Sequence, residues 1–202
     1  MPKRVDHELR RRQIADALLR VAAAQGLHTV GYREVAVEAG VSVRLVQYYF
    51  ETKEQLLLFG LRRVGDQFTE RMLPRLAAAA LPVAGRSRIE VVLLGTLPLD
   101  AESRSLYVLY HQYFALALTD PALAAQPYGS DPDALEVWLV EQLRSCQSEG
   151  RLAAERDLVD EASAILALTV GLGNAILAGR RSADDARRIL ARHLEDRLGP
   201  AR

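Results

Sequence analysis

Gly40 divides two short runs of helical apolar spacing so closely that the chain must turn sharply there. In the first run Val35, Ala36 and Ala39 share one face, and Gly40 then offers the positive φ that an abrupt helix stop needs. Ser42 is placed to cap the second run, in which Val46 and Phe50 fall four residues apart and point inward. Arg44, Gln47 and Tyr48, at i, i+3 and i+4, share the opposite face. The pair reads as a helix-turn-helix. A short helix with Arg, Gln and Tyr outward suits a groove of duplex DNA, because guanidinium and amide groups pair bidentately with base edges. The local pattern alone also fits an ordinary helical hairpin with a solvated second helix.

The flanks favour the first reading. Upstream, Ile14, Ala17, Leu18, Val21 and Ala22 form a helical apolar stripe that ends at Gln25-Gly26. Downstream, Thr52-Lys53-Glu54-Gln55 has the form of a capping box, with Thr52 bonding the backbone of Gln55 and the Gln55 side chain reaching back to Thr52. A long fourth helix is predicted from Lys53 to Ala80.

Residues 10–56 resemble the DNA-binding domain of the TetR family of transcriptional regulators. The matching marks are Gly26 closing helix 1, Val35-Ala36 in helix 2, Ala39-Gly40-Val41-Ser42 at the turn, Tyr49-Phe50 ending the recognition helix, and Lys53 with Leu56 opening helix 4. The chain departs from the family pattern at Gln47, where Tyr is usual, and at Gly31-Tyr32, which replaces a Thr or Ser. The resemblance implies that Val43, Arg44 and Tyr48 face base edges, and that Ser42, Gln47, Tyr49, Lys53, Tyr32 and Arg33 face phosphates. It also implies a double-stranded DNA operator, a homodimer and a small-molecule effector. Lys3-Arg4 and Arg10-Arg11-Arg12 are further candidates for phosphate or minor-groove contacts.

Composition permits such a protein without demanding it. Half the residues are apolar and 26 % are charged, as in an ordinary globular chain, and a net charge of +0 exerts no global pull on nucleic acid. The charge is nevertheless divided: residues 1–50 hold eight basic and five acidic side chains, so the remainder must be acidic by the same margin. A single cysteine, Cys146, cannot form an intramolecular disulfide, and no clustered Cys/His set suggests a metal. No metal or cofactor is expected. The N-terminus lacks an apolar targeting segment and no uninterrupted apolar run spans a bilayer, so a cytoplasmic protein without membrane contact is the expectation.

Beyond the head, Ala and Leu dominate and alternating β-branched runs are absent. Pro and Gly breaks leave predicted helices at 86–96, 100–119, 131–149, 158–179 and 183–197. The fold class is therefore all-α: a three-helix helix-turn-helix head at 1–56, joined by helix 4 to a C-terminal helical bundle at 57–202 that binds ligand and dimerises. In the helix at 158–179, Ala164, Ala167, Gly171, Ala175 and Ala178 form a stripe of small residues beside a larger one of Ile165, Leu168, Leu172 and Ile176. Ala186, Ile189, Leu190 and His193 on the final helix join the small stripe as expected dimer residues, on the resemblance to the family's four-helix interface. Both faces being satisfied within one subunit is the competing arrangement.

The effector region is sparser in signal. Tyr107, Tyr110, His111 and Phe114 concentrate aromatic groups on one helix of a chain that is only 6 % aromatic. With Trp138, Glu141 and Asn174 they are the expected ligand-binding residues, since pockets combine apolar walls with a few placed polar groups. An all-helical enzyme is disfavoured: there is no HExxH, no Gly-rich phosphate loop and no GxSxG elbow. The expected function is thus a ligand-responsive DNA-binding repressor, with a constitutive or architectural DNA binder as the alternative.

Overall fold

The computed structural model describes residues 2–79, 85–121 and 134–199, with side chains from residue 7 onward. The expected breaks at 81–82 and 126–132, and the side chains of Lys3 and Arg4, lie outside the described residues. Among these, all regular structure is helical: α1 (Pro2–Gln25), a 3₁₀ turn (Leu27–Thr29), α2 (Tyr32–Ala39), α3 (Val43–Tyr49), α4 (Lys53–Ala78), α5 (Arg86–Thr96), α6 (Ala101–Ala117), α7 (Ala134–Ser148), α8 (Leu158–Leu177) and α9 (Ala183–Leu198). The all-α expectation holds. The chain divides into two compact units, one of residues 1–67 with 108–130 and the other of residues 68–107 with 131–202.

The first unit is built on α1. Its stripe of Ile14, Ala17, Leu18, Val21 and Ala22 is buried, as are Val35 and Ala36 of α2, Val46 of α3, Phe50, and Leu56, Leu57 and Leu61 of α4. Gly40 takes the left-handed conformation (φ 65°, ψ 34°). Val41 N–H then reaches Ala36 O at 2.9 Å and Gly40 N–H reaches Val37 O at 3.2 Å, the paired closure that satisfies the last carbonyls of a helix. Ser42 caps α3 by accepting from Leu45 N–H at 3.2 Å. Thr52 likewise accepts from Gln55 N–H at 3.2 Å, but the Gln55 side chain overshoots the predicted partner and accepts from Glu51 N–H at 3.1 Å. Arg63 and Gln67 of α4 both donate to Asp16 Oδ1 of α1, at 2.7 and 3.0 Å.

The second half of α6 completes this unit. Tyr113 is buried to 1 % exposure, and its hydroxyl has no hydrogen-bond partner among the described residues. It fits only because Gly60 on α4 has no side chain: a Cβ there would overlap the Tyr113 hydroxyl and come within 2.8 Å of Leu18 Cδ2. Beside it, Gln112 Oε1 accepts the Leu27 N–H at 2.8 Å, closing the 3₁₀ turn that leads into α2.

In the second unit Ile89 and Leu93 of α5 and Leu97 just after it, Leu139, Leu143 and Cys146 of α7, Ala162, Ile165 and Leu172 of α8, and Ala186, Leu190, Leu194 and Leu198 of α9 make one core. Glu161 near the start of α8 is held by Arg156 at 2.8 Å and by Arg197 of α9 at 3.3 Å, so its buried carboxylate is paired rather than orphaned. By length and composition α8 could cross a bilayer, with a mean hydropathy of 1.3 over eighteen residues, a test that core helices of water-soluble proteins also pass.

Candidate nucleic-acid interface

The residues of α3 separate as their spacing predicts. Val46 and Phe50 are buried completely, while Ser42, Val43, Arg44, Gln47 and Tyr48 are exposed, Tyr48 to 70 %. The outward row therefore carries one guanidinium, one amide and one phenol on a helix whose inner side is clamped into the core. That combination suits base edges in a major groove, where Arg and amide groups make the specific contacts. Arg33 of α2 and Lys53 at the start of α4 are exposed too, as is Val37, at 78 %. Tyr49 is half-buried.

Tyr32 is placed differently from an outward phosphate ligand. Its hydroxyl donates to the Phe50 carbonyl at 3.1 Å, so its proton is engaged with the backbone. Burial, reinforced by the Glu54 carboxylate, pushes this phenol above the usual tyrosine range. Arg11, expected among the phosphate contacts, instead turns onto the core: its guanidinium carbon lies 5.0 Å from the Phe50 ring centroid and 4.5 Å from that of Phe59. This is cation–π geometry. Arg10 and Arg12 remain exposed.

Sequence reasoning missed His7. It lies one helical turn before Arg11 on α1, and its ring centroid is 4.6 Å from Tyr49 and 6.4 Å from Tyr48. The two tyrosines meet edge to face at 5.2 Å. The spacing of His7 and Arg11, at i and i+4, was a legible signal for a shared face, but only the packing of α1 on α3 shows what that face meets.

The expected effector residues fall into both units. In the second, Tyr107 is buried, with its hydroxyl 2.9 Å from Val170 O and 3.0 Å from Asn174 Oδ1 on α8; burial raises the phenol to about 12. Trp138 is half-buried and Glu141 exposed, three residues apart on α7. In the first, Tyr110 and Phe114 are 44 % and 48 % exposed, and the Tyr110 and His111 rings meet edge to face at 5.8 Å.

Of the expected dimer residues, Ala164 and Gly171 of α8 and Ala178 at its C-cap are exposed and Ala175 is half-buried; Val170 on the same helix is 44 % exposed. Ile189 and His193 are half-buried on α9 and line an open recess of about 230 Å³ with Arg188, Arg192 and Asp196. Ala186 and Leu190 are a correction. Both are completely buried in the subunit's own core, because α9 turns that face onto the core it shares with α5, α7 and α8.

Known proteins agree with this geometry. Residues 14–58 match the family description for bacterial regulatory proteins of the TetR family, and residues 85–199 that for the C-terminal part of BetI-type transcriptional repressors. The HTH-type transcriptional regulator PksA of Bacillus subtilis is 35 % identical over 103 residues, 51 % of this chain and 49 % of that protein. BetI of Rhizobium meliloti is 37 % identical over 93 residues, 46 % of this chain and 44 % of that protein. The chain thus spans about half the length of these curated relatives. Among solved structures, a TetR-family regulator from Rhodococcus sp. superposes with a TM-score of 0.80 at 24 % identity, covering 94 % of this chain and 98 % of that one, which is a likeness of fold. A regulator from Saccharomonospora viridis in complex with choline gives 0.78 at 26 % identity, over 92 % and 95 %. With its helix-turn-helix, its outward row on α3 and family matches covering both parts of the sequence, this chain belongs to the TetR family of transcriptional regulators, with a BetI-type C-terminal region.

Proposed function

We propose that the protein is a cytoplasmic, homodimeric repressor that binds an approximately two-fold-symmetric duplex site and is released from it by a small molecule. Residues 1–56 serve as the DNA-binding domain and residues 57–202 as the ligand-binding and dimerisation domain. The observation that carries this reading is the outward row of α3 on a fully buried inner side. Val43, Arg44 and Tyr48 read base edges. Ser42, Gln47, Tyr49, Lys53 and Arg33 position the head on phosphates, with Tyr32 contributing through its place at the first turn of α2.

The dimer forms through α8 and α9. An exposed row of Ala164, Ala167 and Gly171 beside Val170 on the most apolar of the described helices, continued by its C-cap Ala178, supports this, since a two-fold interface reuses one self-complementary patch. Ile189 and His193 extend the patch onto α9.

The effector is a small organic cation or amphipathic molecule, bound by residues drawn from Tyr107, Trp138, Glu141 and Asn174 of the second unit. Aromatic rings with a carboxylate suit a cation through ring faces and charge. The Saccharomonospora viridis relative holds choline, and another neighbour, the multidrug binding protein EbrR, at 27 % identity and a TM-score of 0.58, is complexed with ethidium. The test begins with selection of a duplex from a random pool by the purified protein, followed by titration of choline and ethidium with and without that duplex. Linkage requires that a ligand weakening DNA binding by about 1 to 3 kcal/mol be weakened equally by DNA. Ligand affinity unchanged by saturating duplex would replace this reading with that of a constitutive DNA binder.

A further inference from the structure

We infer that His7, outside the helix-turn-helix in sequence, is a positioning residue for DNA reading: its ring, seated against Tyr49 and Tyr48, holds the exposed end of α3 in its binding arrangement. The inference rests on the DNA-binding reading above and adds a residue of α1 to it. Tyr48 is 70 % exposed and so has little packing of its own to fix its side chain. What it does have is an edge-to-face contact with Tyr49 at 5.2 Å, and both rings face His7, at 6.4 Å and 4.6 Å. One turn along α1, Arg11 lies over Phe50 and Phe59. His7 and Arg11 thus address three consecutive residues, Tyr48, Tyr49 and Phe50, at the end of α3 and the start of its exit.

The physical effect is preorganisation. A tyrosine that must be ordered on docking costs rotamer freedom at that moment, whereas one already held by neighbouring rings does not. Because α1 is continuous from Pro2 to Gln25, its own core residues Ile14, Ala17 and Leu18 anchor the backbone that carries His7. His7 itself is exposed, so its removal leaves the core intact.

The test compares wild-type protein with His7→Ala and His7→Phe on a duplex selected from a random pool by the wild type, and on an unselected duplex of equal length, with thermal melting of each variant. An aromatic contact of this kind corresponds to a loss of roughly two- to tenfold in affinity for the selected duplex in His7→Ala. The unselected duplex should be bound as before, because charge on phosphates governs that binding. His7→Phe, which keeps a ring at the position, should recover most of the selected-duplex affinity. Three results overturn the inference: no loss in His7→Ala, an equal loss on both duplexes, which would make His7 a direct phosphate ligand, or failure of His7→Phe to recover. A wild type that enriches no duplex at all overturns the DNA-binding reading instead, so the two failures are separate.

Discussion

Replacing Gly60 with alanine sets two known effects against each other within the first unit. Alanine in a helix interior is favoured over glycine by about 1 kcal/mol. Against this, the new Cβ would overlap the Tyr113 hydroxyl and crowd Leu18, and neither can swing aside, since Tyr113 is 1 % exposed and Leu18 completely buried. Overpacking at such a site costs about 1 to 3 kcal/mol, so the net result is a loss of about 0 to 2 kcal/mol despite the better helix former. Tyr113→Phe separates the terms. It deletes a buried hydroxyl with no partner among the described residues, a group whose unpaired burial costs about 1 to 3 kcal/mol, and it removes the closer of the two overlaps, leaving the one with Leu18. Tyr113→Phe alone should therefore stabilise. In that background Gly60→Ala should cost less than it does in the parent, because only the Leu18 contact is left to crowd the new Cβ, giving a measurable coupling between the neighbouring sites. Native-state hydrogen exchange at the α1 amides around Leu18 is the right assay, because it reports on the unit that holds Gly60 and Tyr113, whereas Trp138 belongs to the other unit. Gly60→Ala protein with α1 amides better protected than those of the parent, Tyr113 intact, would refute the close-packing argument.

Arg44→Ala should lose about 1 to 3 kcal/mol on a selected duplex and relax sequence preference, whereas Lys53→Ala should weaken all duplexes alike; competition binding at two salt concentrations distinguishes them, and equal losses for Arg44→Ala would remove its base-reading role. Gly171→Glu should convert the dimer to monomers in sedimentation, because it places a charge in the middle of the small-residue row; a surviving dimer moves the interface off α8. Asp185 at the start of α9 is held down to about 2 by hydrogen bonds from Arg188 and then Ser182. A depressed carboxyl stabilises above its unfolded value of about 4 and loses that contribution as pH falls toward 2, so helix content followed by circular dichroism over that window should be less acid-sensitive in Asp185→Asn.

The head was legible because its signals are local. Gly40 needs only its own backbone, and the Ser42 cap reaches three residues. The helix limits beyond it follow from Pro and Gly for the same reason: α5 was predicted at its observed bounds, Arg86–Thr96. What could not be read is which neighbour each face meets. Ala186 and Leu190 share the period of a contact surface, and nothing along α9 says that the surface is the subunit's own core. Arg11 looked like one of three solvent-facing arginines until Phe50 and Phe59, far along the chain, placed it over their rings. The partner of Gln112, whose amide closes the turn at Leu27, could not be read either, because no spacing rule joins residues so far apart.

The bond from the Tyr32 hydroxyl to the Phe50 carbonyl has a mechanical meaning. Gly40 fastens α2 to α3 where the chain passes between them, and Tyr32 fastens the opposite extremities, the first residue of α2 to the residue after α3. A pair of rods tied at both ends is a closed frame and not a hinge. The angle at which α3 leaves α2 is then held from both ends, and under the proposed function a molecule that releases the protein from DNA would carry the frame away from its groove as one piece.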